Sequence, residues 1–195
     1  MAISPSDKKK KKKYWYPIVA PKQFQNTKLG ETRAYTAEEL VGKVIKSNLM
    51  TLTNDPKKQS ITLSFRVQEI SNNTGVTTLI NYSINNAHIK RLVRKASKKL
   101  EGSFVVKTKD NLTYRIKPII LTRYKANNSI LTALRKKTEE LITQYIAGLN
   151  SEDVYAQIIT HKLQMETKNT LKKIYPISIC EIKAFTLIPE KAKIA

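Results

Sequence analysis

The sequence Ile61-Thr62-Leu63-Ser64-Phe65-Arg66-Val67 is the clearest indication of the fold, because apolar and polar side chains alternate along its whole length. A strict period of two predicts a β-strand with one face packed in a core. Residues 76–84 resume the alternation after a turn-rich segment, residues 71–75. The two strands are therefore predicted to form a hairpin with a longer loop.

A second hairpin is predicted downstream of the first. Residues 104–108 are joined to the alternating residues 112–116 through Asp110-Asn111, a pair that tolerates the positive φ angles of tight turns. Pro118 falls inside the run that ends at Arg123, and its nitrogen cannot donate a ladder hydrogen bond. A bulge or a sheet edge is therefore expected at Pro118.

Strands are also predicted at residues 43–48 and at residues 177–187. In the later strand the apolar positions change parity between Ala184 and Phe185, which indicates a bulge. A sheet that draws strands from early and late parts of the chain favours one domain over residues 14–195 rather than a separate helical domain. The predicted fold class is α+β, with a mostly antiparallel sheet packed with helices.

A basic helix is predicted between the two hairpins. Apolar residues recur at helical spacing from Ile89 to Leu100, with Asn85 or Asn86 as the N-cap and Gly102 as the stop. Six cations occupy the opposite face, with no acid among them to form the ion pairs of an ordinary surface helix. They are Lys90, Arg91, Arg94, Lys95, Lys98 and Lys99. The pattern allows a solvated basic face, but we favour a surface that faces phosphate.

The last third of the chain is predicted to be mainly helical. An apolar stripe runs through residues 130–149, and a basic turn at residues 135–137 lies within it. A short helix capped by Ser151 follows, and another helix runs to about Ile174 and stops before Pro176.

The charge of the chain narrows the choice of partners. Its 195 residues contain 36 lysines and arginines against 15 acids, a formal net charge of +21. The self-repulsion of such a domain is relieved when counterions or a polyanion gather at its surface. Nothing in the chain resembles a membrane span or a signal peptide, and the single cysteine, Cys180, fits a reducing compartment. A cytosolic protein bound to nucleic acid is therefore predicted.

Residues 1–13 are predicted to be a disordered arm, because Lys8 to Lys13 are six consecutive cations. The arm could be a solubilising tail, but contact with phosphate is favoured because the rest of the chain is also basic. Tyr14, Trp15 and Tyr16 follow, and their rings could either stack on unpaired bases or anchor the arm in the core. We expect Trp15 to take the anchoring role.

No pattern of catalytic or metal-binding residues stands out. His88 and His161 have no cysteine, aspartate or second histidine at metal-ligand spacing. The five glycines are too scattered for a loop that cradles phosphate. Cys180 lies in an apolar strand, which favours a core residue over a nucleophile. The chain is therefore predicted not to be an enzyme and to need no metal, cofactor or small-molecule substrate.

Short sequences along the chain resemble one family, the basic small-subunit ribosomal proteins of archaea and eukaryotes called eS-one or S-three-a-e. None of these sequences is specific alone, but their order and spacing extend over nearly the whole chain. They are residues 13–16 (Lys-Tyr-Trp-Tyr), 20–24, 29–32, 54–55, 106–110, 134–137 and 174–177. The chain stops soon after Leu187, so it resembles the archaeal form. It departs from the family at residues 127–132, which lack a basic, hydroxyl-rich sequence.

The resemblance implies a structural constituent of the small ribosomal subunit, located in cytoplasmic ribosomes. It places the protein at the subunit platform, near the messenger exit and the 3′ end of the small-subunit RNA. The implied partners are that RNA and neighbouring ribosomal proteins, with messenger RNA nearby and no membrane. The resemblance also implies a barrel-like sheet. An architectural DNA-binding protein and an RNA-processing enzyme are the alternatives from other classes.

The candidate site consists of cations that would neutralise phosphates and aromatic residues that would stack on bases. The residues are Lys8, Lys9, Lys10, Lys11, Lys12, Lys13, Tyr14, Trp15, Lys22, Lys90, Arg91, Arg94, Lys95, Lys98, Lys99, Arg123, Lys125, Arg135, Lys136 and Lys137. Contacts to phosphate fix position and carry little sequence information, so selectivity is expected to come from RNA shape.

Overall fold

The structure is a computed structural model that describes residues 12–95 and 97–189. Nine β-strands of the described chain form one sheet. They are β1 (Tyr14–Val19), β2 (Lys28–Ala34), β3 (Val44–Asn48), β4 (Ile61–Ser71), β5 (Thr74–Ile84), β6 (Lys99–Glu101), β7 (Phe104–Lys107), β8 (Thr113–Thr122) and β9 (Ile177–Leu187). The helices are α1 (Leu49–Thr53), α2 (Asn86–Leu92), α3 (Asn128–Ala147), α4 (Ser151–Ile159) and α5 (Lys162–Leu171). Short 3-10 helices cover Lys22–Phe24, Ala37–Leu40 and Pro56–Lys58.

Strand β5 lies at the centre of the sheet. One edge of β5 pairs with β4, and the other edge pairs with β1 near Gly75 and with β9 at residues 81–83. Strand β9 continues to β8, whose outer edge pairs with β7 and then with β6. Strands from both ends of the described chain therefore join one sheet.

The predicted α+β class with a mostly antiparallel sheet and packed helices is confirmed. The parallel pairing of β1 with β5 is the exception among otherwise antiparallel pairs in the described sheet. The strand order β2-β1-β5-β9-β8-β6 does not return to its starting strand, so the sheet formed by the described residues is open. Among those residues, none of the helices has the length and apolar character needed to cross a membrane.

The central hairpin forms as predicted, but its loop is shorter than expected. Strand β4 ends at Ser71 and β5 begins at Thr74, which leaves Asn72 and Asn73 as a two-residue loop. Their φ angles are 48° and 60°, and two positive values are what a tight turn needs to match strand twist. The prediction of a longer loop was wrong, because asparagine supplies this conformation without glycine.

A bulge changes the buried face of β5. The register against β4 shifts between Ser64 and Phe65, which makes Ile80 an extra residue. Ahead of the bulge Thr77 is buried, whereas Thr78, which the alternation placed on the core face, is exposed. Beyond the bulge the predicted face is buried.

The second hairpin and the last strand contain the predicted irregularities. Strands β7 and β8 pair across a turn in which Asn111 has a φ of 59°. The register of β8 against β9 shifts between Lys117 and Pro118, and Lys183 is the extra residue of that bulge. The bulge at Pro118 and the parity change in the final strand are therefore confirmed.

Helix α2 is shorter than predicted. Its N-cap is Asn85, whose side chain accepts a backbone hydrogen bond from the first turn, and the helix ends at Leu92. Residues 99–101 form β6 instead, where Leu100 is buried against the core. The helical spacing of apolar residues from Ile89 to Leu100 therefore spans two elements, the helix α2 and the strand β6. Gly102 follows β6 and does not end the helix.

The C-terminal helices form close to their predicted positions. Helix α3 buries Leu134 and Ile142 against the core. Helix α4 has Asn150 as its N-cap, so Ser151 is its first residue rather than its cap. The backbone N–H of Ser151 donates to Asp110 Oδ2 at 2.8 Å. A carboxylate in the β7–β8 turn therefore satisfies one free donor at the start of α4.

Three packed aromatic rings join the sheet to α4. Tyr114 of β8 and Phe185 of β9 lie 4.5 Å apart between ring centroids, with planes only 9° from parallel. Tyr155 of α4 meets Phe185 edge to face at 5.0 Å. We call these three residues the aromatic core, since each is at most 3% exposed. Such aromatic contacts add to the stabilisation that burial already provides.

Candidate nucleic-acid interface

Three arginines from two separate segments converge on one hollow. Arg91 lies at the end of α2, Arg94 in the turn after it, and Arg123 directly after β8. They line a hollow of about 500 Å³, which we call the arginine hollow. None of the described residues that line it is acidic, so its positive charge is not balanced by its own walls.

Thr122 holds the two segments of the arginine hollow together. Its buried hydroxyl donates to Tyr124 O at 2.6 Å and accepts from Lys98 N at 2.9 Å. The backbone N–H of Thr122 donates to Lys98 O at 3.0 Å. Because unmade hydrogen bonds of buried groups are costly, these contacts fix the loop that carries Arg94 against the segment that carries Arg123.

Residues just before β9 form hydrogen bonds with the segment that carries Arg123. The backbone N–H of Arg123 donates to Pro176 O at 3.0 Å, and Tyr175 Oη donates to Lys125 O at 2.9 Å. The side chains of Arg123 and Lys125 remain exposed. Both cations predicted after β8 are therefore exposed to solvent, while hydrogen bonds hold their backbone in place.

A second polar hollow adjoins the first. Its volume is about 570 Å³, and it shares Arg91 with the arginine hollow. Asn48, Lys57 and His88 also line it. Sequence analysis missed Lys57, since only the fold brings the turn before β4 beside the end of α2.

The six cations predicted on one helix face do not share a face. Lys90 is exposed on α2, while Lys95 and Lys98 are exposed in the following turn. Lys99 lies in β6, and its Nζ is 3.2 Å from Glu101 Oε1. The hydrogen bond from Lys99 lowers the pKa of the Glu101 carboxyl, and Lys183 at 3.7 Å adds to the effect. Lys99 is therefore already paired with an acid.

The basic turn of α3 is exposed as predicted. Arg135, Lys136 and Lys137 all point into solvent from the middle of the helix. Lys137 Nζ lies 3.1 Å from Glu140 Oε2, so part of the charge of this turn is paired. Exposed pairs of this kind contribute only ~0.3–0.5 kcal/mol, which leaves Lys137 available to exchange partners.

Trp15 does not anchor the N-terminal arm in the core, so that prediction was wrong. It lies in β1 directly opposite Arg33 of β2, and 57% of the residue is exposed. The guanidinium carbon of Arg33 lies 4.2 Å from the centroid of the indole ring. Strand β1 pairs with β5 only at Ile18 and Val19, so among the described strands its first residues have β2 alone beside them.

The remaining N-terminal residues of the candidate site are exposed where they are described. Lys12, Lys13, Tyr14 and Lys22 are all exposed. The ammonium of Lys13 lies 5.0 Å from the ring centroid of Tyr35. Lys8, Lys9, Lys10 and Lys11 lie outside the described residues, as does most of the arm predicted to be disordered.

Sequence analysis also missed cations on the sheet itself. Arg115 and Lys117 are exposed on β8, alternating with the buried Tyr114 and Ile116. Lys107 of the paired strand β7 is exposed as well. The alternation that identified the strand also placed these cations on its outer face, so the signal was present in the sequence.

Several titratable groups in the described part of the fold have shifted pKa values. Burial raises the pKa of the Cys180 thiol to about 12, which keeps it protonated near neutral pH. Burial also raises the pKa of the Tyr82 hydroxyl. His161 Nδ1 lies 3.5 Å from Glu181 Oε2, and this contact raises the pKa of His161. Over residues 12–95 and 97–189, no group of three or more potential metal ligands occurs.

These surfaces define a class of protein: a basic scaffold that displays arginine, lysine and aromatic side chains suited to a polyanion. The chain matches the Ribosomal S3Ae family over residues 4–190. It belongs to that family, as the resemblance in its sequence indicated.

Curated relatives support the same assignment. The small ribosomal subunit protein eS1 of Saccharolobus islandicus is 33% identical over 91% of this chain and 85% of its own length. The protein of the same name from Desulfurococcus amylolyticus is 33% identical over 90% of this chain and 82% of its own length. The one from Saccharolobus solfataricus is 31% identical. Because the family consists of ribosomal proteins, the prediction that the chain is not an enzyme is confirmed.

Proposed function

We propose that the chain is a non-catalytic constituent of the small ribosomal subunit that binds and fixes folded small-subunit RNA. Its setting would be cytoplasmic ribosomes, with neighbouring ribosomal proteins as further partners. The names of the relatives and the family match support this assignment. The proposal extends to the platform of the subunit, near the messenger exit and the 3′ end of the RNA, with messenger RNA passing nearby.

The arginine hollow carries the proposal that phosphate is the main contact. Arginine presents a planar, permanently charged fork that matches phosphate oxygens. Three such groups meet in one hollow whose described lining contains no carboxylate. A phosphodiester backbone would supply the missing negative charge, and counterion release would add to the binding free energy.

The other cations of the candidate site would extend this contact. Four exposed lysines lie close in sequence to the three arginines of the hollow. They are Lys90, Lys95, Lys98 and Lys125. Residues 135–137 would form a second contact from α3. Lys99 and Lys137 would contribute less, because each has a carboxylate partner within 3.2 Å in the free protein.

Architectural DNA binding remains the competing function. That function usually places a recognition helix in the major groove, whereas here the exposed cations are spread over α2 and the loop after it, the strands β7 and β8, and the middle of α3. Such scattered contacts suit the irregular shape of a folded RNA better than the regular groove of a duplex.

Competition binding tests the proposal directly. Labelled small-subunit RNA bound to the protein would be challenged with unlabelled small-subunit RNA, large-subunit RNA or duplex DNA at physiological salt. We expect only small-subunit RNA to compete efficiently, and we expect the protein to sediment with small subunits in lysate. Equal competition by duplex DNA, or absence from ribosomal particles, would overturn the proposal.

A further inference from the structure

One end of the exposed face of the β1–β2 ladder carries alternating cations and aromatic rings. Trp15 and Arg33 are directly opposite each other, so their side chains project from the same face of the two strands. Lys13 precedes Trp15 by two residues and contacts Tyr35, which follows Arg33 by two. We call these four residues the stacking face. The next pair along that face is Pro17 with Glu31, and the Glu31 carboxylate is already paired with Lys28.

The rings of the stacking face are open to solvent. Trp15 is 57% exposed and Tyr35 is 41% exposed, although each already contacts a cation. An exposed cation–π contact is worth ~0.5–1 kcal/mol, enough to orient a ring without covering it. The guanidinium of Arg33 lies over the indole of Trp15, and the large exposed fraction leaves the ring accessible to a ligand.

The chemistry of this face fits unpaired nucleobases. Flat aromatic surfaces stack on bases of any sequence, while interleaved cations neutralise the phosphates between them. Bases inside a duplex already stack on one another, so only a single-stranded segment can offer a free ring. An acidic peptide could satisfy Lys13 and Arg33 but would leave the two rings unused.

We propose that the stacking face binds unpaired bases of a single-stranded RNA segment, with Trp15 held between a base and the Arg33 guanidinium. This inference rests on the proposed function in taking RNA as the partner. It adds a second mode of contact, one that depends on bases rather than on phosphate charge.

Trp15 is the single tryptophan of the chain, so fluorescence excited at wavelengths that the nine tyrosines do not absorb reports on this face alone. The full-length protein would be titrated with a single-stranded RNA of about eight nucleotides, within the usual range of site sizes. An abasic oligomer of equal length and charge is the first control, and a poly-glutamate peptide is the second. We expect strong quenching by the RNA and little quenching by the abasic oligomer or the peptide.

Variants separate stacking from charge. Trp15→Ala should weaken binding of the single-stranded RNA by about 5- to 150-fold, the range found for loss of one stacking ring. Its binding of the abasic oligomer should change less than about threefold. Arg33→Lys keeps the charge but loses the planar group, so it should give an intermediate loss. Met165→Ala is the matched control, because Met165 is 62% exposed on α5, away from the β1–β2 ladder.

Three results would overturn the inference. Equal quenching by the abasic oligomer would mean that the stacking face binds charge and not bases. Quenching by poly-glutamate in preference to RNA would mean that its partner is an acidic protein segment. Unchanged RNA binding by Trp15→Ala would remove the stacking contact. If the wild-type protein still binds small-subunit RNA in competition, these results leave the proposed function intact. If the wild-type protein does not bind small-subunit RNA, the proposed function itself is overturned.

Discussion

The aromatic core and the stacking face use the same kind of side chain in opposite environments. Tyr114, Tyr155 and Phe185 contact one another, and each is at most 3% exposed. Trp15 and Tyr35 contact cations instead, and each is more than 40% exposed. One group of rings joins α4 to the sheet, whereas the other lies at the start of β1 and beyond the end of β2.

The difference shows how to separate rings that hold the fold from rings that are free to bind. A ring surrounded by other rings has little surface left for a ligand, and its removal opens a cavity. A ring beside a cation on an exposed strand loses little when it is removed from the free protein. Stability measurements on matched variants test this separation.

Phe185→Ala should reduce the free energy of unfolding by about 3–5 kcal/mol, because it opens a cavity between Tyr114 and Tyr155. Trp15→Ala should reduce it by less than about 1 kcal/mol, since an exposed side chain leaves no cavity. Urea unfolding of both variants, followed by circular dichroism, gives the two values. Similar losses for the two variants would remove the distinction between the two groups of rings.

The fold was largely predictable because its strands have one buried face. The alternation in residues 61–67 depends only on which side chains face the core, and its four apolar residues are all buried in the structure. Helix α2 was overextended because apolar spacing alone cannot show where a helix ends and a strand begins. Leu100 fits a helical spacing from Ile89, yet its burial comes from pairing with β8.

Buried and exposed hydroxyl groups can be compared in the same way as buried and exposed rings, beginning with Thr122→Val. The substitution keeps the shape of the side chain but removes the partner of Tyr124 O and Lys98 N. It should cost about 1–3 kcal/mol of stability, the penalty for buried polar groups left unpaired. The matched control is Thr132→Val, whose hydroxyl donates to Asn128 O at 3.0 Å on an exposed part of α3.

Urea unfolding of the two threonine variants supplies the comparison. The control should change stability by less than about 0.5 kcal/mol. Thr122→Val should also weaken RNA binding, because the loop that carries Arg94 loses the hydroxyl contacts to β8 and keeps only the backbone hydrogen bond from Thr122 to Lys98. An equal, small effect in both variants would mean that Thr122 does not hold the arginine hollow together.

The candidate site was less predictable than the fold. Lysine runs and the cations after β8 were visible in the sequence, but the meeting of Arg91 with Arg123 depends on long-range strand pairing. Arg33 was missed because it joins the site only through its position opposite Trp15. That position is set by the register of β1 against β2. The burial expected for Trp15 is not seen, because the start of β1 pairs with β2 alone among the described strands and this face of the pair lies outside the core.

The contact between His161 and Glu181 predicts a small pH effect on stability. Glu181 raises the pKa of His161 above its ordinary value of 6.5, while burial and Lys58 oppose the shift. A raised pKa in the folded state means that the stabilisation is complete below pH 6.5 and is lost as the pH rises through the folded pKa. Because the pair is partly exposed, we expect only a few tenths of a kcal/mol.

Urea unfolding between pH 5.5 and about 8.5 measures this effect. His161→Gln should remove the added stability on the acidic side of the window, while His88→Gln should retain it. A wild-type protein whose stability rises with pH across the window, relative to His161→Gln, would contradict the sign of the shift.

The salt dependence of RNA binding tests most directly the claim that the exposed cations serve a polyanion. The measurement compares Arg91→Ala/Arg94→Ala/Arg123→Ala with Lys28→Ala/Lys46→Ala/Lys162→Ala, which removes equal charge from exposed lysines that do not line the hollow. In a plot of log affinity against log salt, the arginine variant should lose about 2.1–2.7 from the magnitude of the slope and about 100-fold in affinity at 0.1 M salt. The lysine variant should lose less than about tenfold. Equal losses in both variants, or an unchanged slope in the arginine variant, would contradict the account.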